Sequence, residues 1–150
     1  MHIEIMTEAF EPYSKLQAYQ NTFNSTGQFG ATCVFVGTMR DFNDGTAVRG
    51  MHLEHYPNMT EKHLAKIIAN AEQQWAVQQC LLLHRVGDIL PTEAIVLIAI
   101  WSAHRGDAFD ACRFIIEALK TSAPFWKKEL LATNESRWVQ HNSDGYSKAQ

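Results

Sequence analysis

The sequence predicts an α+β fold, with helices packed on a mostly antiparallel sheet. Three observations point there. Short runs with two-residue alternation or continuous β-favouring character recur along the chain, while longer segments repeat apolar residues at helical spacing. The order of these segments is irregular rather than a steady βαβ alternation. Turn signals such as Asn43-Asp44-Gly45 add hairpins to the mixture.

The elements follow in order. His2 to Thr7 alternates polar and apolar residues and reads as a short strand. Tyr13 to Asn21 reads as a short helix, ended by the polar turn Asn24-Ser25-Thr26-Gly27. Ala31 to Val36 is a continuous β-favouring run, expected to be a buried strand that stops at Gly37. Thr38 to Gly45 has loop chemistry, and Ala47 to Tyr56 alternates again as a hairpin partner, with Val48, Met51 and Leu53 on one face. Pro57 breaks that strand. Asn58 and Glu61 then form a capping pair, with Thr60 as the alternative cap, for a helix whose buried stripe is Leu64, Ile67, Ile68, Ala71 and Trp75. Cys80 to Leu83 is a short strand, and Val86-Gly87-Asp88 leads into a turn near Pro91. Glu93 to Trp101 is the most apolar strand, and the helix after it buries Ala108, Phe109, Cys112, Ile115, Ile116 and Leu119. Phe125 to Leu131 and Arg137 to Val139 are late strands around an Asn134-Glu135-Ser136 turn, and a polar, mobile tail begins near His141. The aromatic residues Trp75, Trp101, Phe109, Phe114, Phe125 and Trp126 read as core.

At 150 residues the chain is expected to be one domain, long enough to bury roughly 70% of its unfolded surface. A net charge of −3 argues against a general nucleic-acid binder, which needs a basic excess to neutralise phosphates. The longest apolar run, Ala94 to Trp101, falls far short of the ~20 residues that span a bilayer, and the N-terminus has no signal-peptide pattern. Cys33, Cys80 and Cys112 are widely spaced with no CxxC pair, which fits buried free thiols in a reducing cytoplasm. A cytoplasmic protein without membrane or nucleic-acid partners is the expectation.

The chemistry concentrates between Trp101 and Glu129. His104-Arg105 stands where the apolar strand hands over to a helix, and free N–H groups at helix starts attract anions. Lys120 lies in the last turn of that helix and Pro124 closes it. The helix dipole alone accounts for a lysine there, at about 0.3–1 kcal/mol. Lys127 and Lys128 follow on a strand, where alternation sends them to opposite faces, so one can be functional while the other is solvated. The loop at Pro124 brings Lys120 within reach of one of them, and neighbouring like charges lower lysine pKa values. Five cationic or titratable side chains thus surround one helix, which suggests a site for a small anionic ligand with amines available for chemistry. Arg40, after a strand end, is either a ligand contact or a plain surface arginine. His52, Glu54 and His55 resemble a fragment of a metal site, but neither H-E-x-x-H nor a following P-C-x-x-C is present, so no metal is expected. Glycine-rich phosphate loops and G-x-S-x-G elbows are absent too.

Taken together, FVGTMRDFNDG (35–45), LEHYPNMTEKHL (53–64), HRVGDILPTE (84–93), SAHRGDAF (102–109), LKTSAPFWKKE (119–129) and RWV (137–139) resemble the large, catalytic subunit of molybdopterin synthase. The resemblance covers roughly residues 30 to 140 and implies an α/β-hammerhead-like fold with an added α+β portion. It implies a sulfurtransferase of molybdenum-cofactor biosynthesis. The substrate would be cyclic pyranopterin monophosphate and the product the molybdopterin dithiolene. Sulfur would arrive as a thiocarboxylate on the C-terminal Gly-Gly of a small ubiquitin-like subunit, and two copies of this chain would form a homodimer within a heterotetramer. No metal or redox cofactor is implied for the transfer, nor a cysteine of this chain. By motif, Lys120 and Lys127 match catalytic positions. Thr38, Met39, Arg40, His104, Arg105, Lys120, Lys127, Lys128 and Glu129 match substrate-binding positions. Thr38 departs from relatives that carry lysine there, which shifts weight onto Arg40. The alternative to an enzyme is a non-catalytic anion-binding or scaffold module built on the same cations.

Overall fold

The computed structural model describes residues 1–23, 27–142 and 145–146. The predicted turn at 24–26 and the tail at 143–144 and 147–150 lie outside the described residues. In chain order the elements are β1 (His2–Met6), α1 (Pro12–Gln20), β2 (Ala31–Thr38), β3 (Phe42–Asn43), β4 (Thr46–His55) and α2 (Met59–Gln74). After these come β5 (Val77–Arg85), β6 (Gly87–Ile89), β7 (Ala94–Ser102), α3 (Arg105–Ser122), β8 (Phe125–Leu131) and β9 (Ser136–Trp138). The α+β class holds, but the strands divide between two sheets.

The first sheet has the order β1-β5-β7-β2, with β1 parallel to β5 and the other pairs antiparallel. Its central strands β5 and β7 are buried on both faces, which is why they read as nearly unbroken apolar runs. One face packs Leu82, Ile98 and Ile100 against Leu64 and Ile68 of α2 and Ala111 and Ile115 of α3. The other packs Leu81, Leu83, Leu97 and Trp101 under Leu16 and Tyr19 of α1 and the nearby Phe23 and Phe29. The second sheet is antiparallel, in the order β3-β4-β8-β9 with β6 also on β4, over a small core of Met39, Val48, Met51, Leu53 and Ile89. Phe125 packs against the cores on both sides of this junction.

Several expectations change. β4 does not pair with β2: it makes a short hairpin with β3 inside the predicted loop, then pairs with β8 and β6. β2 runs past Gly37 to Thr38 through an irregularity, and as an edge strand it is only half-buried. A Cβ at Gly37 would stand 2.8 Å from Val96 Cγ1, so a larger residue would force β2 and β7 apart here. Neither Asn58 nor Thr60 accepts a capping hydrogen bond from α2 through its side chain; Asn58 instead turns the chain with φ 67°. Phe109 and Trp126, expected in the core, are 62% and 42% exposed. Among the described residues of the polar tail, two touch α3: Asn142 donates to the Lys120 carbonyl, and Tyr146 accepts from Arg113.

Candidate active site

The last turn of α3, the start of β8 and the end of β2 converge on a cavity of about 380 Å³. Each wall has a local cause. Pro124 forbids continuation of α3, and β8 begins one residue later. The turn therefore places Lys120 and Lys127 on the same cavity from two different elements. Thr38 at the end of β2, His84 near the end of β5, and Gln140 and Asn142 after β9 add to its polar lining, with Phe35, Phe125 and Trp126 among the apolar walls. A smaller recess of about 110 Å³ shares Thr38, Lys120 and Lys127 and adds Met39, Arg40 and Glu129.

The electrostatics follow from crowding. Lys120 keeps contact with solvent, yet desolvation pulls its pKa down to about 8, and the charges of Lys127 and Arg40 push the same way. Desolvation also lowers Lys127; Glu129 opposes that shift and Arg40 adds to it. Such amines sit closer to proton-exchange competence at neutral pH than solvated lysines do. Arg40 lies over the Phe42 ring at 5.0 Å, which holds its guanidinium at the rim. Buried Glu129 accepts from Arg137 Nε at 2.9 Å and from Asn43 Nδ2 at 2.6 Å, so its oxygens are occupied by the protein itself. Met39 is also buried and forms part of the recess floor.

The predicted residues are therefore only partly gathered. Thr38, Met39, Arg40, Lys120, Lys127 and Glu129 come together. Lys128 does not line either space; it lies over the Trp138 ring at 5.6 Å on the other side of β8. His104 and Arg105 are exposed at the opposite end of α3, separated from Lys120 by fifteen residues of helix, or about 22 Å of rise. The expectation of one cluster around the helix is thus corrected, because a helix long enough to cross the sheet keeps its two ends apart.

His84 was not singled out from the sequence. Two signals touch it: it closes the apolar run Leu81-Leu82-Leu83, and it opens the HRVGDILPTE segment (84–93) that contributes to the family resemblance. Its ring is 7% exposed and stacks on Phe125 at 3.9 Å and 11°. Elsewhere, His52 Nδ1 is 2.6 Å from Asp88 and lies away from the cavity, and no group of three or more metal-binding side chains exists among the described residues. No described helix is long and apolar enough to cross a membrane.

Comparison with known proteins matches the family described as MoaE protein over residues 8–122. The chain is 48% identical over 150 residues to the molybdopterin synthase catalytic subunit of Pseudomonas aeruginosa, covering 100% of this chain and 97% of that one. Its fold is similar to molybdopterin synthase from Staphylococcus aureus, with a TM-score of 0.80 and 33% identity over 92% of this chain and 96% of that chain. A complex of subunits 1 and 2 of molybdopterin-converting factor from Helicobacter pylori matches with a TM-score of 0.77 and 26% identity, over 94% and 92%.

Proposed function

The chain belongs to the MoaE protein family, and from that premise we propose how it works as the catalytic subunit of a molybdopterin synthase. It takes sulfur from the C-terminal thiocarboxylate of a small ubiquitin-like subunit and delivers it to cyclic pyranopterin monophosphate. Lys120 and Lys127 act on the reacting centre. The observation that carries this reading is their convergence from α3 and β8 on one cavity, where both pKa values are lowered. Sulfur transfer to the pterin side chain passes through charged adducts, and amines poised in this way supply and accept the protons those adducts need. Arg40 at the rim and Thr38 between the two recesses suit the phosphate and its neighbouring hydroxyls.

His104 and Arg105 belong to this reading through a second copy of the chain. Their distance from Lys120 along α3 rules out one ligand touching all of them within a single chain, whereas a homodimer can present one copy's helix start to the other copy's cavity. With one small subunit on each copy the assembly is a heterotetramer, in keeping with the two-subunit complex from Helicobacter pylori. Free thiols at Cys33, Cys80 and Cys112 are in keeping with a cytoplasmic setting, and burial pushes Cys80 up to about 12, a poor sulfur carrier.

The test is reconstitution. This chain, cyclic pyranopterin monophosphate and thiocarboxylated partner should yield the dithiolene. Partner ending in an ordinary carboxylate should dock without product. Product-free binding with the thiocarboxylated form would favour the anion-binding or scaffold alternative.

A further inference from the structure

His84 has a fixed tautomer. Its Nδ1 lies 2.9 Å from the Arg85 carbonyl oxygen, which can only accept, so Nδ1 carries the proton. Nε2 is then left with a free lone pair. It has no hydrogen-bond partner among the described residues, yet it is not one of the buried atoms sealed without a partner. The ring lines the lysine cavity and is held flat against Phe125. A histidine present only to fill the core would not need an acceptor left open toward a polar cavity.

Its surroundings define what that acceptor is for. Lys120, Lys127 and nearby Arg40 are donors only, so they suit the anionic part of a ligand. Glu129, the carboxylate that shares the adjoining recess with them, is engaged by Arg137 and Asn43, and of the two amides in the cavity Asn142 is tied to the Lys120 carbonyl, which leaves Gln140 and His84 to face donors of a ligand. A pterin is rich in N–H and O–H donors that those cations cannot satisfy. We propose that His84 is a further substrate-binding residue, whose Nε2 accepts a hydrogen bond from an N–H or O–H donor of the bound pterin and so orients the ring while the cations hold the phosphate. This rests on the pterin substrate proposed above.

The role requires an imidazole that stays neutral, and the site enforces this. Burial above all holds the His84 pKa down at about 4; the backbone hydrogen bond to Arg85 opposes this, and the charges of Lys120, Lys127 and His55 act with burial. The acceptor therefore persists at neutral pH beside two cations, where an ordinary histidine would be partly protonated.

The experiment compares His84→Phe, His84→Gln and Lys120→Ala with the unaltered chain, each with thiocarboxylated partner and cyclic pyranopterin monophosphate. Phe keeps a flat ring on Phe125 and removes the acceptor; Gln restores an oxygen acceptor. His84→Phe should raise KM about tenfold with a smaller effect on kcat, as expected for a lost hydrogen bond that leaves a ligand donor unpaired. His84→Gln should recover part of that loss. Nitrogen-15 spectra of the unaltered chain supply a readout independent of folding: Nε2 should be unprotonated in the free protein and shift when the pterin is added. A KM within about twofold of normal in His84→Phe, or an Nε2 signal unmoved by saturating pterin, overturns the proposal. Lys120→Ala separates the two readings. If it turns over normally, or if the unaltered chain ignores the pterin, the proposed function itself falls. If only His84→Phe is silent, the histidine's role alone falls.

Discussion

Lys127 and Lys128 are consecutive in β8 and face opposite ways: Lys127 lines the cavity opposite Leu53, while Lys128 lies over the Trp138 ring at 5.6 Å. Identical charges one residue apart therefore have different work to do, and the two-residue period of the strand is the whole reason. Lys127→Ala should reduce dithiolene formation roughly a hundredfold or more, the scale of a lost acid–base group. Lys128→Ala should leave turnover within about twofold and cost about 0.5–1 kcal/mol of stability through the lost cation–π contact. Steady-state kinetics and denaturant melts on both variants decide it, and equal loss of activity would contradict the division.

The family resemblance leads one to expect Glu129 in substrate binding, but its contacts tie β8 to β3 and β9. It is 4% exposed, with Arg137 and Asn43 both donating to it. Glu129→Ala should cost about 2 kcal/mol, below the full penalty for breaking a buried pair because Arg137 retains 37% of its side-chain exposure. Urea unfolding should show the midpoint falling in both Glu129→Ala and Arg137→Ala, with a combined variant less than additive. Strict additivity would mean that the two residues do not act as a pair.

The element order was legible because burial writes its period into the chain. β7 stands out since both of its faces are covered, and α2 since only one stripe is. Strand partners were less legible: alternation in Thr46–His55 declares a half-buried strand without saying which strand lies beside it, and its partners in β8 lie 70 to 83 residues away. The Lys120–Lys127 convergence was readable from the Pro124 break. The separation of His104 and Arg105 from Lys120 was equally available, from helical rise alone, but proximity in sequence to the same helix obscured it. Phe109 fell beside the buried stripe of α3 rather than within it, a difference of one position that apolar identity does not resolve. His84 opens the HRVGDILPTE segment, yet a titratable residue at the end of an apolar strand does not reveal a cavity formed by segments far away in sequence.

Lys120 should reveal its crowding on titration. Its pKa in the folded protein is about 8, below the ~10.4 of a free lysine, so the unfolded chain holds a proton that the folded one has released between those values. Stability contributed by this group accordingly rises as pH climbs through that window and is lost as pH falls through about 8. Competitive acylation read out by mass spectrometry should give Lys120 a reactivity midpoint near pH 8. In Lys127→Ala the midpoint should move upward, because the Lys127 charge is one of its causes. A midpoint above pH 10 in the unaltered chain, or one insensitive to Lys127, would remove the electrostatic basis of the site.

The distance between the two ends of α3 makes the second copy testable without a structure of the dimer. On the proposed reading one site needs Lys120 from one chain and Arg105 from its partner, about 22 Å being too far for both to come from the same helix. Lys120→Ala and Arg105→Ala homodimers should each be nearly inactive, since every site lacks one cation. After the two variants are mixed and refolded together, half of the dimers are hybrids. In a hybrid one site combines both defects, while the other takes its lysine from one chain and its arginine from the other and is intact. Activity should therefore return to about a quarter of normal, from half the dimers with one working site each. Light scattering should show a dimer throughout, so that recovery reflects exchange of partners rather than a change of assembly. If mixing restores nothing although hybrids form, Arg105 serves the cavity of its own chain or none at all, and the shared site must be abandoned.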